Sequence, residues 1–211
     1  MPIVKTSNIL VENWLNVARD RNTQSEQFKT ALENVAMLLF SEAVNHNAKN
    51  LIIRKSIKTP LKKMQARFIN EHEIYIVPIL RAGLGMLSGV KTLVPNAKIA
   101  HVGLYRNEST LEPHWYLDKL PKKVKKKSVF FVIEPMLATG GTITAVLRRI
   151  IILGIKKISV ISALASKQAV SKLIKEFSVV NFYVGEVDPM LNSNGYIVPG
   201  LGDAGDRVFN I

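Results

Sequence analysis

The chain has 211 residues, 47% hydrophobic and 21% charged, and its 29 basic against 16 acidic residues give a net charge of +13. That composition excludes a disordered chain and supports a core that needs no covalent staples. The absence of cysteine excludes disulfides, thiolate catalysis and cysteine zinc sites, and the charge favours anions: phosphorylated metabolites, nucleic acid or acidic headgroups.

The first 46 or so residues read as helical. In "SEQFKTALENVAMLLFSEAVNH" apolar residues fall at helical spacing (Phe28, Leu32, Val35, Leu39, Ala43), with Ser25 as the expected N-cap. The opening "MPIVKTSNILVENWL" has no apolar signal core and no 18-residue apolar run follows, so neither secretion nor membrane spanning is expected, and a cytoplasmic location fits the missing cysteines. "NLIIRKSIKTP" reads as a strand running to Pro60, and "PLKKMQARFIN" as a short helix with Pro60 in its first turn.

From residue 73 strands and helices alternate. "EIYIVPIL" is a strand, "RAGLGMLSGVKTL" a loop and helix, "KIAHVGLY" a strand, and "RNESTLEPHWYLDKLP" an excursion, a hairpin or a loop. "PKKVKKKS" reads as a solvated charge run without interleaved aromatics. "SVFFVI" is a strand, "TITAVLRRIIIL" a helix stopped by Gly154, "KKISVISALA" a strand, "SKQAVSKLIKEF" a helix capped by Ser166, and "VNFYVGEV" a strand. Continuous apolar strands alternating with helices predict an α/β fold with a mostly parallel sheet covered on both faces, its site beyond the carboxyl ends of the strands. The loops after Leu80, Tyr105, Ile133 and Val187 are therefore the functional candidates.

One such loop, "EPMLATGGT", joins a strand to a helix. Gly140 and Gly141 let backbone N–H groups approach an anion, Thr139 and Thr142 add hydroxyls, and the helix start adds unpaired donors, together a cradle for a phosphate monoester. It lacks the lysine of a Walker A loop and is not G-x-G-x-x-G. An acid, Glu134, beside an anion cradle needs another purpose. A carboxylate accepts two hydroxyl hydrogen bonds, so it can hold vicinal ribose hydroxyls while the loop holds the 5-phosphate.

"VIEPMLATGGT" resembles the phosphoribosyl-diphosphate (PRPP) signature of the type I phosphoribosyltransferases. More narrowly, "PILRAGLGM", "HVGLYRNE", "EPMLATGGT" and "GYIVPGLGDAGDRVF", in this order, resemble the uracil phosphoribosyltransferase family over about residues 60–209. The resemblance implies transfer of a phosphoribosyl group from PRPP to uracil, giving UMP and diphosphate in pyrimidine salvage. Mg²⁺ would accompany PRPP, with no metal held directly by the protein except near Asp203. It implies a homodimer or higher oligomer and a GTP activator as partners, with no membrane. It divides the chain into an N-terminal helical and arm region (1–60), a PRPP-binding core (61–190) and a C-terminal uracil-binding hood (191–211).

The resemblance assigns Arg81 and Arg106 to the diphosphate, the latter from a mobile segment closing over the site, and Glu134, Pro135, Met136, Leu137, Ala138, Thr139, Gly140, Gly141 and Thr142 to the rest of PRPP. Ile197, Gly202, Asp203 and Ala204 line uracil, and Asp203 also reaches PRPP or its Mg²⁺; Arg81, Arg106 and Asp203 are the catalytic candidates. A non-proline peptide of unusual geometry is expected in the "RAG" loop. A fixed guanidinium aimed at the departing diphosphate stabilises the transition state more than the ground state. Four glycines and a proline in "GYIVPGLGDAGDR" make backbone groups the natural readers of uracil's acceptor–donor–acceptor edge. Cytosine would leave buried partners unpaired.

The sequence departs from the family where Glu134 and Thr142 replace an aspartate and a serine, and "HWYLDKLP" replaces a tyrosine pair before "KLP"; His114 and Trp115 receive no role beyond packing. The other histidines show no metal-ligand spacing. An alternative is a uracil phosphoribosyltransferase-like RNA-binding regulator with little or no activity, marked by basic residues gathered on one face. Intact Arg81, Arg106, the Thr-Gly-Gly-Thr loop and Asp203 favour the enzyme, for which nucleic acid is not an expected partner. A purine substrate is disfavoured by a bracket built for a small pyrimidine edge.

Overall fold

The computed structural model describes residues 3–106 and 113–211, without the side chains of Ile3, Val4 and Arg106. In chain order the elements are β1 (Ile3–Lys5), α1 (Ile9–Arg19), α2 (Ser25–His46), α3 (Ala48–Leu51), β2 (Ile52–Lys58), β3 (Lys63–Ile69), a 3₁₀ turn (Glu71–Glu73), β4 (Ile74–Leu80), α4 (Leu84–Leu93), β5 (Lys98–Ile99), β6 (Val102–Arg106) and β7 (Pro113–Asp118). There follow β8 (Val129–Ile133), β9 (Met136–Leu137), α5 (Gly141–Ile152), β10 (Ile158–Ser166), α6 (Lys167–Glu176), β11 (Val180–Asp188), β12 (Met190–Leu191), β13 (Ile197–Val198) and α7 (Ala204–Phe209).

The main sheet runs β1-β11-β10-β8-β4-β6-β7, with β5 beside β4 and β9 beside β10. Every pairing in it is parallel except β6 with β7. The register Tyr75↔Phe130↔Ile158↔Val180 aligns the central strands, so their carboxyl ends open on one edge. The central strands β4, β8, β10 and β11 are buried almost throughout because both faces are covered. One core lies under α1, α2, α4 and α7; the other lies under α5 and α6. No helix among the described residues is long and apolar enough to cross a membrane.

Three sequence expectations are corrected. Residues 63–69 form a strand, not a helix, paired antiparallel with β2. The alternation Met64, Ala66, Phe68 against Lys63, Gln65, Arg67 is a period of two, which suits a strand. Ser25 is the first residue of α2 rather than its cap; Gln24 holds that position and the Ser25 hydroxyl donates to the Val208 carbonyl instead. "KIAHVGLY" is two short strands, β5 and β6, rather than one. The excursion "RNESTLEPHWYLDKLP" is a hairpin, β6 with β7, whose residues 107–112 lie outside the described residues. The lysine run is not simply solvated: Lys125 and Lys127 pair with Glu73 at 3.1 and 3.7 Å, and Ser128 donates to it at 3.1 Å. Burial alone would push the Glu73 carboxyl up, but these partners hold it below its ordinary value.

Candidate active site

Strands β4 and β8 end side by side, and three segments meet beyond them. The first is the loop after β4. Its Leu80–Arg81 peptide is cis, in the loop where unusual geometry was expected. A Cβ on Gly83 would stand 2.7 Å from the carbonyl oxygens of Ile79 and Ile133, so the loop presses against the end of β8 with only glycine fitting. Arg81 is exposed here, and its guanidinium lies 3.4 Å from Asp206 of α7.

The second segment is the loop after β8. Glu134, Met136 to Thr142 and Ile143 line a recess of about 90 Å³, a size suited to one phosphate group. Gly140 adopts a left-handed φ of 73°, which lets the chain turn into α5 while the first amides of the helix face the recess. The Gly141 N–H lies 3.4 Å from the Thr139 hydroxyl. The loop is held from behind by β10: the Glu134 N–H donates to the Ile161 carbonyl, the Ser162 hydroxyl reaches the Pro135 carbonyl at 3.1 Å, and the Ser166 hydroxyl donates to the Ala138 carbonyl at 2.6 Å. Ser166 also accepts from the Ala169 N–H, capping α6 as expected, so one buried hydroxyl ties helix to loop. Burial pushes the Glu134 carboxyl up to about 8. The residue is half-buried and lines the recess.

The third segment is the hood. β12 and β13 form a two-stranded ribbon, the Val198–Pro199 peptide is cis, and Gly200 and Gly202 have φ of 61° and 80°. A Cβ on Gly200 would fall 2.0 Å from the Ile197 carbonyl. Ile197 and Ala204 are buried with their side chains in the core, while Gly202 is exposed and Asp203 half-buried. Asp203 caps α7, its Oδ1 accepting from the Asp206 N–H at 3.0 Å. A Cβ on Gly205 would lie 4.0 Å from the Ala82 side chain, so the hood and the loop after β4 are in contact.

The structure thus brings Arg81, Glu134 to Thr142, Ile197 and Gly202 to Ala204 to one edge of the sheet. The backbone of Arg106 ends β6 on the same edge, two strands from β8; its side chain lies outside what is described. His114 stacks on Tyr105 with centroids 5.6 Å apart, and Trp115 packs on the second core.

Sequence reasoning missed the residues that hold the hood. Arg19 makes a two-pronged pair with Asp188 at 2.7 and 2.8 Å and donates to the Gly200 carbonyl; Asp188 also accepts from the Gly200 N–H. Burial would raise the Asp188 carboxyl, but Arg19 and that N–H hold it below its ordinary value. Arg207 donates to the carbonyls of Ala18, Leu201 and Asp20 and covers the Phe28 ring. Asp188 carried a signal, an acid closing an apolar strand, as Glu134 does; Arg19 carried none.

A parallel sheet with an acid and a phosphate-sized glycine loop at one strand end, and a backbone hood across from it, defines a phosphoribosyltransferase of the type I class. The model of the family "Uracil phosphoribosyltransferase" matches residues 5–211. A uracil phosphoribosyltransferase of Wolinella succinogenes is 40% identical over 99% of both chains, and one of Clostridioides difficile is 39% identical over 98% of this chain and 97% of its own. A solved structure, the AQ2163 protein from Aquifex aeolicus, superposes with a TM-score of 0.91 at 38% identity, covering 99% of this chain and 98% of that one. The chain belongs to the uracil phosphoribosyltransferase family.

Proposed function

We infer that the protein is a pentosyltransferase that joins uracil to the ribose 5-phosphate of PRPP, releasing UMP and diphosphate. The observation that carries this reading is the meeting, at one sheet edge, of a phosphate-sized recess with a carboxyl in its lining, an exposed arginine and a backbone hood. The loop amides from Gly140 onward take the 5-phosphate and Glu134 takes the vicinal ribose hydroxyls. Arg81 leaves Asp206 for the diphosphate, a stronger and more highly charged acceptor. As the C1–O bond breaks, its electron pair departs with the diphosphate, and N1 of uracil forms the new bond at C1. The N1 proton passes to the Asp203 carboxylate at the hood's rim. Arg106, from the end of β6, adds positive charge to the leaving group.

Mg²⁺ fits this donor set: a hard cation that keeps its waters needs one or two carboxylates beside substrate phosphates, and Asp203 is at hand. When bound it would neutralise diphosphate charge. The homodimer expectation gains support from the β2–β3 hairpin. Ile53, Ile57, Met64 and Phe68 share one side of it, with Met64 and Phe68 exposed, and a two-stranded hairpin is marginal alone. The reaction is tested by supplying uracil, cytosine, hypoxanthine or adenine in turn with PRPP and Mg²⁺. UMP from uracil, and no nucleotide from the others, is expected; absence of UMP would refute the assignment.

A further inference from the structure

The β2–β3 hairpin carries a second face. Its register pairs Arg54 with Arg67, Ser56 with Gln65 and Lys58 with Lys63, and alternate residues along a strand share a side. These six side chains therefore form one polar stripe, and all six residues are exposed. The apolar residues Ile53, Ile57, Met64 and Phe68 point the other way.

Two of the three rungs set like charges directly opposite one another, an arrangement that destabilises an isolated hairpin. The sequence supplies no relief, since no aspartate or glutamate occurs between Glu42 and Glu71. Nor does the fold: among the described residues none of Arg54, Lys58, Lys63 or Arg67 forms an ion pair. Arg54, Gln65, Ala66 and Arg67 line a depression of about 270 Å³. Four cations on two antiparallel strands, with nothing to neutralise them, call for a ligand whose anions are themselves arranged along two lines.

We propose that the Arg54/Arg67 and Lys58/Lys63 face of the hairpin binds the phosphate backbones of duplex DNA without regard to sequence. A two-stranded ribbon fits the major groove of B-DNA, about 12 Å wide, with basic ends reaching the phosphates on either side. A-form RNA closes that groove to side chains. The stripe holds no aromatic residue on which single-strand bases could stack. An anionic membrane would need the apolar side chains on the same side as the cations, and here the four stripe cations oppose them, with Lys55 alone of the two strands' cations on the apolar side, over the Phe68 ring. A second copy of the chain is met by the apolar side. Read as a helix, residues 63–69 scatter their cations; as a strand they align them.

The test is fluorescence anisotropy of the full chain with a labelled DNA duplex of about two helical turns, titrated at several salt concentrations. Four phosphate contacts predict a log–log salt slope of about −3.6, or roughly 150-fold weaker binding between 50 and 200 mM salt. Arg54→Gln with Arg67→Gln should make the slope shallower by about 1.8, as should Lys58→Gln with Lys63→Gln as an independent pair. Uracil turnover and oligomeric state should stay as in the parent protein, which also shows that the variants fold. The proposal is overturned by no duplex binding at low salt, by a slope that neither pair alters, by equal binding of duplex RNA or of phosphatidylserine vesicles, or by dissociation of the oligomer in either variant.

Discussion

Glu134 is the residue at which charge and function are most closely bound, and its titration can be predicted. Burial pushes the carboxyl up to about 8, and no cation among the described residues offsets it. At pH 7 about a tenth of the unliganded enzyme then carries the carboxylate, and at pH 9 about nine-tenths. Ribose hydroxyls donate to the ionised form, so kcat/KM for PRPP, which reports the free enzyme, should rise about tenfold between pH 7 and 9. The 5-phosphate completes its own ionisation lower, with a second pKa of about 6, and does not distort that window. Glu134→Gln should abolish the rise while preserving shape; any slope that persists in it belongs to uracil or another side chain. Glu134→Asp withdraws the carboxyl by one methylene, a misplacement of about 1 Å that can change the rate by up to ~10²-fold. The raised carboxyl also makes the unliganded fold lose stability as pH climbs from about 4.5 to about 8, because the native state then holds the proton that the unfolded chain gives up. Initial rates across pH 7–9 for the three proteins decide the matter. A flat kcat/KM profile in the parent, or a Gln variant that retains the rise, refutes the reasoning.

Arg81→Ala should lower kcat/KM for PRPP by about 10²–10³-fold, the usual cost of one aimed donor, while the KM for uracil changes little; an equal effect on both would place Arg81 elsewhere. Asp188→Ala leaves the half-buried Arg19 and the Gly200 N–H without their acceptor, so we expect a loss of about 3–5 kcal/mol, a Tm drop on the order of 10 °C, and a raised uracil KM. The parent's Asp188 contribution is present above the ordinary carboxylate range and is lost as pH falls through its depressed folded value, so the acid limb of the parent's stability curve should flatten in the variant. Ser166→Ala removes both the α6 cap and the hold on the Ala138 carbonyl; the PRPP KM should rise with the uracil KM unchanged, and a shift in uracil KM alone would be inconsistent with that route.

Much of this was legible in the chain. Strands β4, β8, β10 and β11 are largely apolar runs bounded by glycine, proline or polar clusters, so period and length alone place them. The loop after β8 reads as an anion cradle because such a cradle needs bare backbone, and bare backbone is glycine. The hairpin was misread because Pro60 suits both a helix start and a turn, and Lys63, Gln65 and Arg67 are good helix formers; the long-range partner β2 decided the outcome, and pairing is invisible locally. Arg19 was illegible for the same reason: it stands on α1, and its partner Asp188 is 169 positions away.

Three carboxyls sit at strand ends or entries, Glu73 and Asp188 buried and Glu134 half-buried, and the contrast among them bears on the role proposed for Glu134. Glu73 has Lys125, Lys127 and Ser128, and Asp188 has Arg19 and the Gly200 N–H; both lie below the ordinary range despite burial. Each is a structural acid, ionised because the fold supplies its counter-charge. Glu134 sits among small and apolar residues, and burial is the one influence that moves it. An unpaired carboxyl in a protein interior takes a proton or meets a partner. The chain spends cations freely elsewhere, with 29 available, yet among the described residues none lowers this acid. A cation there would fix the carboxylate and occupy the lone pairs that two hydroxyls must share. Leaving it unpaired in the lining of a phosphate-sized recess makes sense only if the partner arrives with the substrate.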